Sequence, residues 1–281
     1  MATRLQRFVK LWVDLFAKHG LLDHASAMAF AVLKALVPLT LLGLAVLGAA
    51  GQQHVWRETI VPGMKDHVEP ATLHAIDVAA QKIFATDSMG LIVFASLMAL
   101  WYVSGSVRGV MTAVNRIYGC RETRSWKVRY ALSIGLAAAI ALCVVGALLS
   151  VLVAPSLARH GVLQVVVAIG RWVVAVALLG VAVGLLMRFA PVESRPKAWI
   201  GGGSVLVIVA WVAASMIFKL LVTELLNFKT ATGSLGVFLV LTGYVYTSSI
   251  IFLVGVELDE LLREDATEGE RGVLEQLGIA R

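Results

Sequence analysis

Six apolar stretches run through this sequence, at about residues 25–50, 89–107, 130–154, 171–187, 198–220 and 233–256, with polar or charged segments between them. About 20 helical residues cross ~30 Å of hydrocarbon, so each stretch is long enough, or nearly so, to span a bilayer. Lipid supplies no hydrogen-bond partners, which leaves helices and closed barrels as spanning structures, and no stretch here alternates like a barrel strand. The pattern predicts an all-α fold: a polytopic transmembrane helical bundle with six spans. The fourth span is interrupted at its start, because the apolar residues 162–170 run into Arg171. Arg171 and Trp172 are expected at the outer interface, with residues 162–170 as a re-entrant or interfacial piece.

Two shorter segments show helical periodicity. In the first, Leu5, Phe8, Val9, Trp12 and Phe16 share one face, and Arg7, Lys10, Asp14 and Lys18 the other. This reads as an N-terminal interfacial amphipathic helix with its cations toward lipid phosphates, or as a cytoplasmic helix packed on the bundle. In the second, Leu73, Ile76, Ala80, Ile83 and Phe84 oppose His74, Asp77, Gln81 and Lys82. It forms part of an outer amphipathic hairpin that either caps the bundle or stays solvated. The chain thus divides into a cytoplasmic interfacial helix (1–24), a six-span transmembrane domain (25–256, with an outer loop at 51–88) and an acidic cytoplasmic tail (257–281). The tail is too short to fold as a domain.

Composition agrees. Of 281 residues, 59% are apolar and 15% charged, with a mean hydropathy of +0.86. Soluble domains carry about 25% charged residues, so the excess apolar surface needs a lipid solvent. The net charge of +6 could point to nucleic acid, but the cations flank the spans. Arg4, Arg7, Lys10 and Lys18 precede the first span, Arg108, Arg116, Arg121, Arg124, Lys127 and Arg129 follow the second, and Arg188, Arg195 and Lys197 follow the fourth. In the 51–88 loop, Arg57, Lys65 and Lys82 are outnumbered by Glu58, Asp66, Glu69, Asp77 and Asp87. This asymmetry places both termini in the cytoplasm, with no nucleic-acid partner. No cleavable signal pattern precedes the first span. Cys120 and Cys143 make neither a disulfide framework nor a thiolate metal site.

Polar residues inside the spans are the candidates for function. Lys34 lies nine residues after Ala25, or ~13 Å along a helix axis, where a lysine costs about 2.5–3.5 kcal/mol on insertion scales. Pro38 leaves the Lys34 carbonyl without its helical donor and predicts a kink there. Such a level of the helix should face the bundle interior or a wet cavity, unless Lys34 snorkels or pairs with a carboxylate. Ser104, Arg108, Thr112 and Asn115 stack at helical spacing, with Arg116 and Tyr118 beyond. That row could hold an anionic headgroup, since guanidinium offers a planar fork for phosphate, or it could be a positive anchor with packing hydroxyls. Glu257 ends the last span and could pair with Arg108, Arg116 or another basic residue of the inner mouth. Glycines in the fourth to sixth spans read as packing sites.

Several chemistries find no motif: there is no HExxH, no phosphate-binding glycine loop and no Cys/His metal spacing. Ser104-Gly105-Ser106 lacks the nearby base that a serine nucleophile needs. All six histidines (His19, His24, His54, His67, His74, His160) lie outside the spans as read. No catalytic residue, metal ligand or cofactor is therefore expected.

Four stretches carry a resemblance: Asp23-His24-Ala25-Ser26-Ala27-Met28-Ala29-Phe30 running to Pro38; Trp101-Tyr102-Val103-Ser104 running to Asn115-Arg116-Ile117-Tyr118; Arg195-Pro196-Lys197-Ala198-Trp199-Ile200-Gly201; and Gly233-Ser234-Leu235-Gly236 running to Gly255-Val256-Glu257-Leu258. In order and spacing they resemble the YihY / virulence-factor BrkB family of bacterial inner-membrane proteins. Departures are Phe30-Ala31 where the family has an aromatic pair, Lys34 in place of an apolar residue, and Asp259 where asparagine is common. The resemblance implies a six-span bundle in the bacterial inner membrane. It also implies an envelope-related role, such as transport of a lipid or lipid-linked anion. A ribonuclease label attached to the family is rejected, because the cytoplasmic loops are too short for a nuclease site and hold no acid/base cluster. The expected substrate contacts are Lys34, Ser104, Arg108, Asn115, Arg116 and Glu257, with membrane lipids as partners. The alternatives are a structural or scaffolding membrane protein and an ion or small-solute channel.

Overall fold

A computed structural model describes residues 4–62, 70–86, 88–157, 162–192, 202–225 and 231–268. The expectations for the loop residues 63–69, for 193–201 with its Arg195-to-Gly201 motif, and for the end of the tail at 269–281 lie outside the described residues. Eight main helices follow in order: α1 (Arg4–His19), α2 (Leu21–Ala49), α3 (Pro70–Ala85), α4 (Ser88–Ile117), α5 (Trp126–Leu157), α6 (Val162–Phe189), α7 (Gly202–Leu225) and α8 (Ala231–Glu268). A short helical turn, Gln53–Val55, and a π-helical turn, Trp56–Ile60, follow α2. No strand occurs among the described residues.

Six of these helices are long and apolar enough to cross a membrane: Leu21–Ala49, Met89–Ile117, Trp126–Ala147, Ile169–Phe189, Gly203–Leu221 and Phe238–Arg263. Only 17–33% of each apolar core window is buried within the chain. Outward faces carrying Val37, Leu142, Val209 and Leu239 therefore need lipid as their solvent.

One sequence expectation is corrected. Residues 162–170 are not a separate re-entrant piece, because α6 is one continuous helix from Val162 to Phe189. Arginine is a good helix former, so Arg171 interrupts the hydropathy without breaking the backbone. Its side chain is part-buried, its carbonyl accepts from Ser150 Oγ of α5 at 3.3 Å, and its guanidinium lies 5.9 Å from the Trp172 ring.

The chain separates into two compact units. The first comprises residues 1–28, 104–212 and 249–281. Here Gly20, at φ +61°, turns α1 into α2, and Gly119, at φ +64°, ends α4. Both positions favour a residue without Cβ. Helices α5 and α6 pack side by side, with Gly146 against Leu178. The inward stripe of α8 is Ser249, Phe252, Leu253, Val256, Glu257, Glu260 and Leu261, all buried at three- and four-residue spacing.

The second unit comprises residues 29–103 and 213–248. Pro38 is buried within α2, which continues across it as one helix. Beyond α2, Phe84 of α3 packs on Gly48 and makes an edge contact with Trp56, centroids 6.3 Å apart. The amphipathic pattern of α3 follows its sequence reading at Leu73, Ala80, His74, Gln81 and Lys82 and departs from it at Ile76 and Asp77. Ile76 is exposed, whereas Asp77 is part-buried and accepts from Trp56 Nε1 at 2.8 Å. A buried indole N–H needs an acceptor, and that need draws the carboxylate onto the packed side. Between α7 and α8, Ser215 Oγ and Tyr244 Oη lie 2.9 Å apart, and the Phe218 and Tyr244 rings meet edge to face at 5.2 Å.

A close helix approach in the first unit joins α7 to α8 through glycines. A Cβ at Gly203 would overlap the Gly255 carbonyl oxygen and lie 3.0 Å from Asp259 Cβ, and one at Gly255 would overlap Val207 Cγ2. Overpacking of this kind costs about 1–3 kcal/mol. Gly203→Ala and Gly255→Ala should each lower the thermal midpoint in detergent by several degrees. Gly135→Ala, with open space around the position, should not. Equal midpoints for all three variants would refute the crossing.

Candidate functional site

The row on α4 is built by helical spacing and completed by the next helix. The Arg108 side chain is part-buried, and its Nη1 donates to Ser104 Oγ one turn earlier and to Ser133 Oγ of α5, each at 3.1 Å. Its Cζ lies 4.2 Å from the centre of the Tyr130 ring. Ser104 and Ser133 are buried, and Ser133 Oγ donates to the Tyr130 carbonyl, leaving its lone pairs to accept from Arg108. Two hydroxyls and an aromatic face orient the guanidinium.

The next turns of the row separate by environment. Thr112 is exposed; its hydroxyl donates to the Arg108 carbonyl and accepts from Arg129 Nη2 at 2.8 Å. Arg116 is exposed and within electrostatic reach of His24. Asn115 is buried, and both ends of its carboxamide are engaged inside the protein. Its Nδ2 donates to Glu122 Oε2 at 3.2 Å, and its Oδ1 accepts from the Val192 amide at 2.9 Å. Arg124 reinforces the same region by donating to the carbonyls of Phe189, Ala190 and Pro191. Arginine on terminal carbonyls is a favourable end to a helix, here α6. Asn115 thus holds loop backbone in place, while Arg116 lies exposed.

Glu257 is 2% exposed and receives His19 Nδ1 at 2.9 Å and 3.1 Å on its two carboxylate oxygens. The sequence reading looked for its partner among basic residues of the inner mouth, with Arg108 and Arg116 named first; the described partner is the last residue of α1. The pair ties the amphipathic helix to the last span. One turn on, buried Glu260 binds Arg263 through two contacts, at 2.6 Å and 3.0 Å.

Lys34 belongs to the second unit. It is exposed rather than packed in a core, and its Nζ lies 4.5 Å from the Phe30 ring and 5.9 Å from the Tyr102 ring. The aromatic faces stabilise the ammonium on an otherwise apolar helix surface.

Comparison with known proteins fits this architecture. The profile of the virulence factor BrkB family matches residues 13–276. The chain belongs to that family. This BrkB-family chain is 25% identical over 214 residues to the ribonuclease-like protein YfkH of Bacillus subtilis (strain 168), covering 73% of the chain and 78% of the relative. No solved structure matches it.

Sequence reasoning missed Tyr130, Ser133, His19 and Arg124. Tyr130 and Ser133 sit three apart at the start of a span, a weak signal until another helix supplies the cation. The α8 stripe held a stronger one: Glu257 and Glu260 fall in register with Leu253, Val256 and Leu261, which marks them as buried carboxylates needing partners. Removing one member of a buried pair typically costs about 3–5 kcal/mol, because the other is left uncompensated. Glu257→Ala should therefore destabilise the protein strongly in thermal unfolding. Glu257→Gln, which can still accept from His19, should fall between it and wild type; an alanine variant as stable as the glutamine variant would contradict this role.

Proposed function

We propose that this protein moves a lipid or lipid-linked anion across the bacterial inner membrane, engaging its head through Arg108 and Arg116. The excess of cations on the loops at one end of the spans supports an orientation with both termini in the cytoplasm. One observation carries the reading. A guanidinium near the end of a membrane helix is held in place by Ser104, Ser133 and Tyr130. Arg116 is exposed eight residues further along α4, or ~12 Å on the helix axis. Ionisable side chains within spans are costly, which makes an oriented arginine there a functional candidate. Phosphate is a suitable guest, because guanidinium binds it through paired hydrogen bonds while acyl chains remain in the bilayer. Lys34 is a second, independent cation on an apolar surface, and its aromatic contacts suit a secondary headgroup contact.

The ribonuclease-like description belongs to YfkH. The reading preferred for this chain rests instead on the oriented guanidinium of α4.

The test is translocation of headgroup-labelled phosphatidylglycerol in liposomes containing the purified protein. Loss of a charged hydrogen bond is worth about 1.5–3 kcal/mol, so Arg108→Ala should reduce flux tenfold or more, and Arg108→Lys by less. Lys34→Ala should give a smaller reduction. Wild-type flux equal to that of protein-free liposomes would refute the reading in favour of a scaffolding role, and unchanged flux in Arg108→Ala would refute the part given to Arg108.

A further inference from the structure

The junction of α1 and α2 forms a second site of opposite chemistry. Helical spacing places Trp12, Val13, Phe16 and Ala17 along one side of α1, and Gly20 turns the chain so that Leu22 and Asp23 follow beside them. These seven residues line an open groove of about 720 Å³, within the size range of small-molecule sites. Trp12 and Phe16 meet edge to face, with centroids 6.3 Å apart at 69°. Val13 and Leu22 are 60% and 48% exposed. The one charged group in this lining is the Asp23 carboxylate, which is also exposed. Gly20 keeps the approach to it open, since a Cβ there would lie 3.8 Å from Asp23 Oδ2.

Aromatic rings, an apolar floor and a single carboxylate fit an amphiphile with a cationic head. Rings attract ammonium groups through their negative faces, and a carboxylate accepts ammonium N–H bonds. An anionic head would instead meet repulsion from Asp23 with no cation in the lining to offset it. The groove is continuous with the first membrane-spanning helix, so the amphiphile is drawn from the bilayer.

We propose that this groove holds a phospholipid with a primary-ammonium head, of the phosphatidylethanolamine type. The ammonium lies on Asp23 and against Trp12 and Phe16, and the first methylenes run along Val13, Ala17 and Leu22. The site is separate from the Arg108 cluster and stands whether or not the protein transports lipid.

Native mass spectrometry of the full-length protein, extracted from vesicles of equal phosphatidylethanolamine and phosphatidylglycerol, tests it. Wild type should retain phosphatidylethanolamine with several-fold preference. Asp23→Asn, which keeps the side-chain shape, should abolish the preference, and Trp12→Ala should weaken retention. Trp12→Phe should keep retention, as should Asp14→Asn, whose acid lies outside the groove lining. Equal retention of the two lipids by wild type overturns the proposal. So does an Asp23→Asn variant that keeps the preference, or a lipid-free dimer, which would assign the groove to a second copy of the chain.

Discussion

A polar group inside a bilayer has no water to fall back on, and this governs most of the arrangement described here. Several ionisable or amide side chains that the sequence places in or near a span meet a specific protein partner. Arg108 meets Ser104, Ser133 and Tyr130; Glu257 meets His19; Asn115 meets Glu122 and the Val192 amide. Lys34 is held against aromatic faces. These contacts come from separate segments of the chain, so satisfying them also fixes which helices adjoin within each unit.

The partners divide by chemistry. Glu257 and Asn115 are buried and engaged with acceptors and donors of the protein itself, which suits positioning: one anchors α1 to α8, the other holds the loops after α4 and α6. Arg108 is oriented by hydroxyls and a ring, an arrangement that fixes its direction. Asp23 lies exposed beside an aromatic groove. Cationic and anionic features thus sit at different places in the first unit.

Close backbone packing is the other requirement. Lipid tails and leucine side chains are equally apolar, so helix association in a membrane depends on fit rather than on escape from water. The Gly203–Gly255 crossing meets that requirement and lets Val207 lie directly against α8. The same crossing keeps the buried face of α8, including Glu257, turned inward.

The six spans, the all-helical class and the amphipathic character of α1 were legible in the sequence, because a run of apolar residues of that length has few ways to satisfy its backbone. The spacing of Ser104, Arg108 and Thr112 likewise fixed a common helix face. Arg171 misled, since a charge disrupts a hydropathy pattern more than it disrupts a helix. What the sequence could not supply were pairings between distant segments: His19 with Glu257, Arg108 with Ser133, Arg124 with the end of α6, and Asp77 turned toward Trp56. Periodicity reports which face of a helix is apolar but carries no information on which neighbour meets it. Only tertiary packing decided those partners, through the separate demand that each buried donor and acceptor be satisfied.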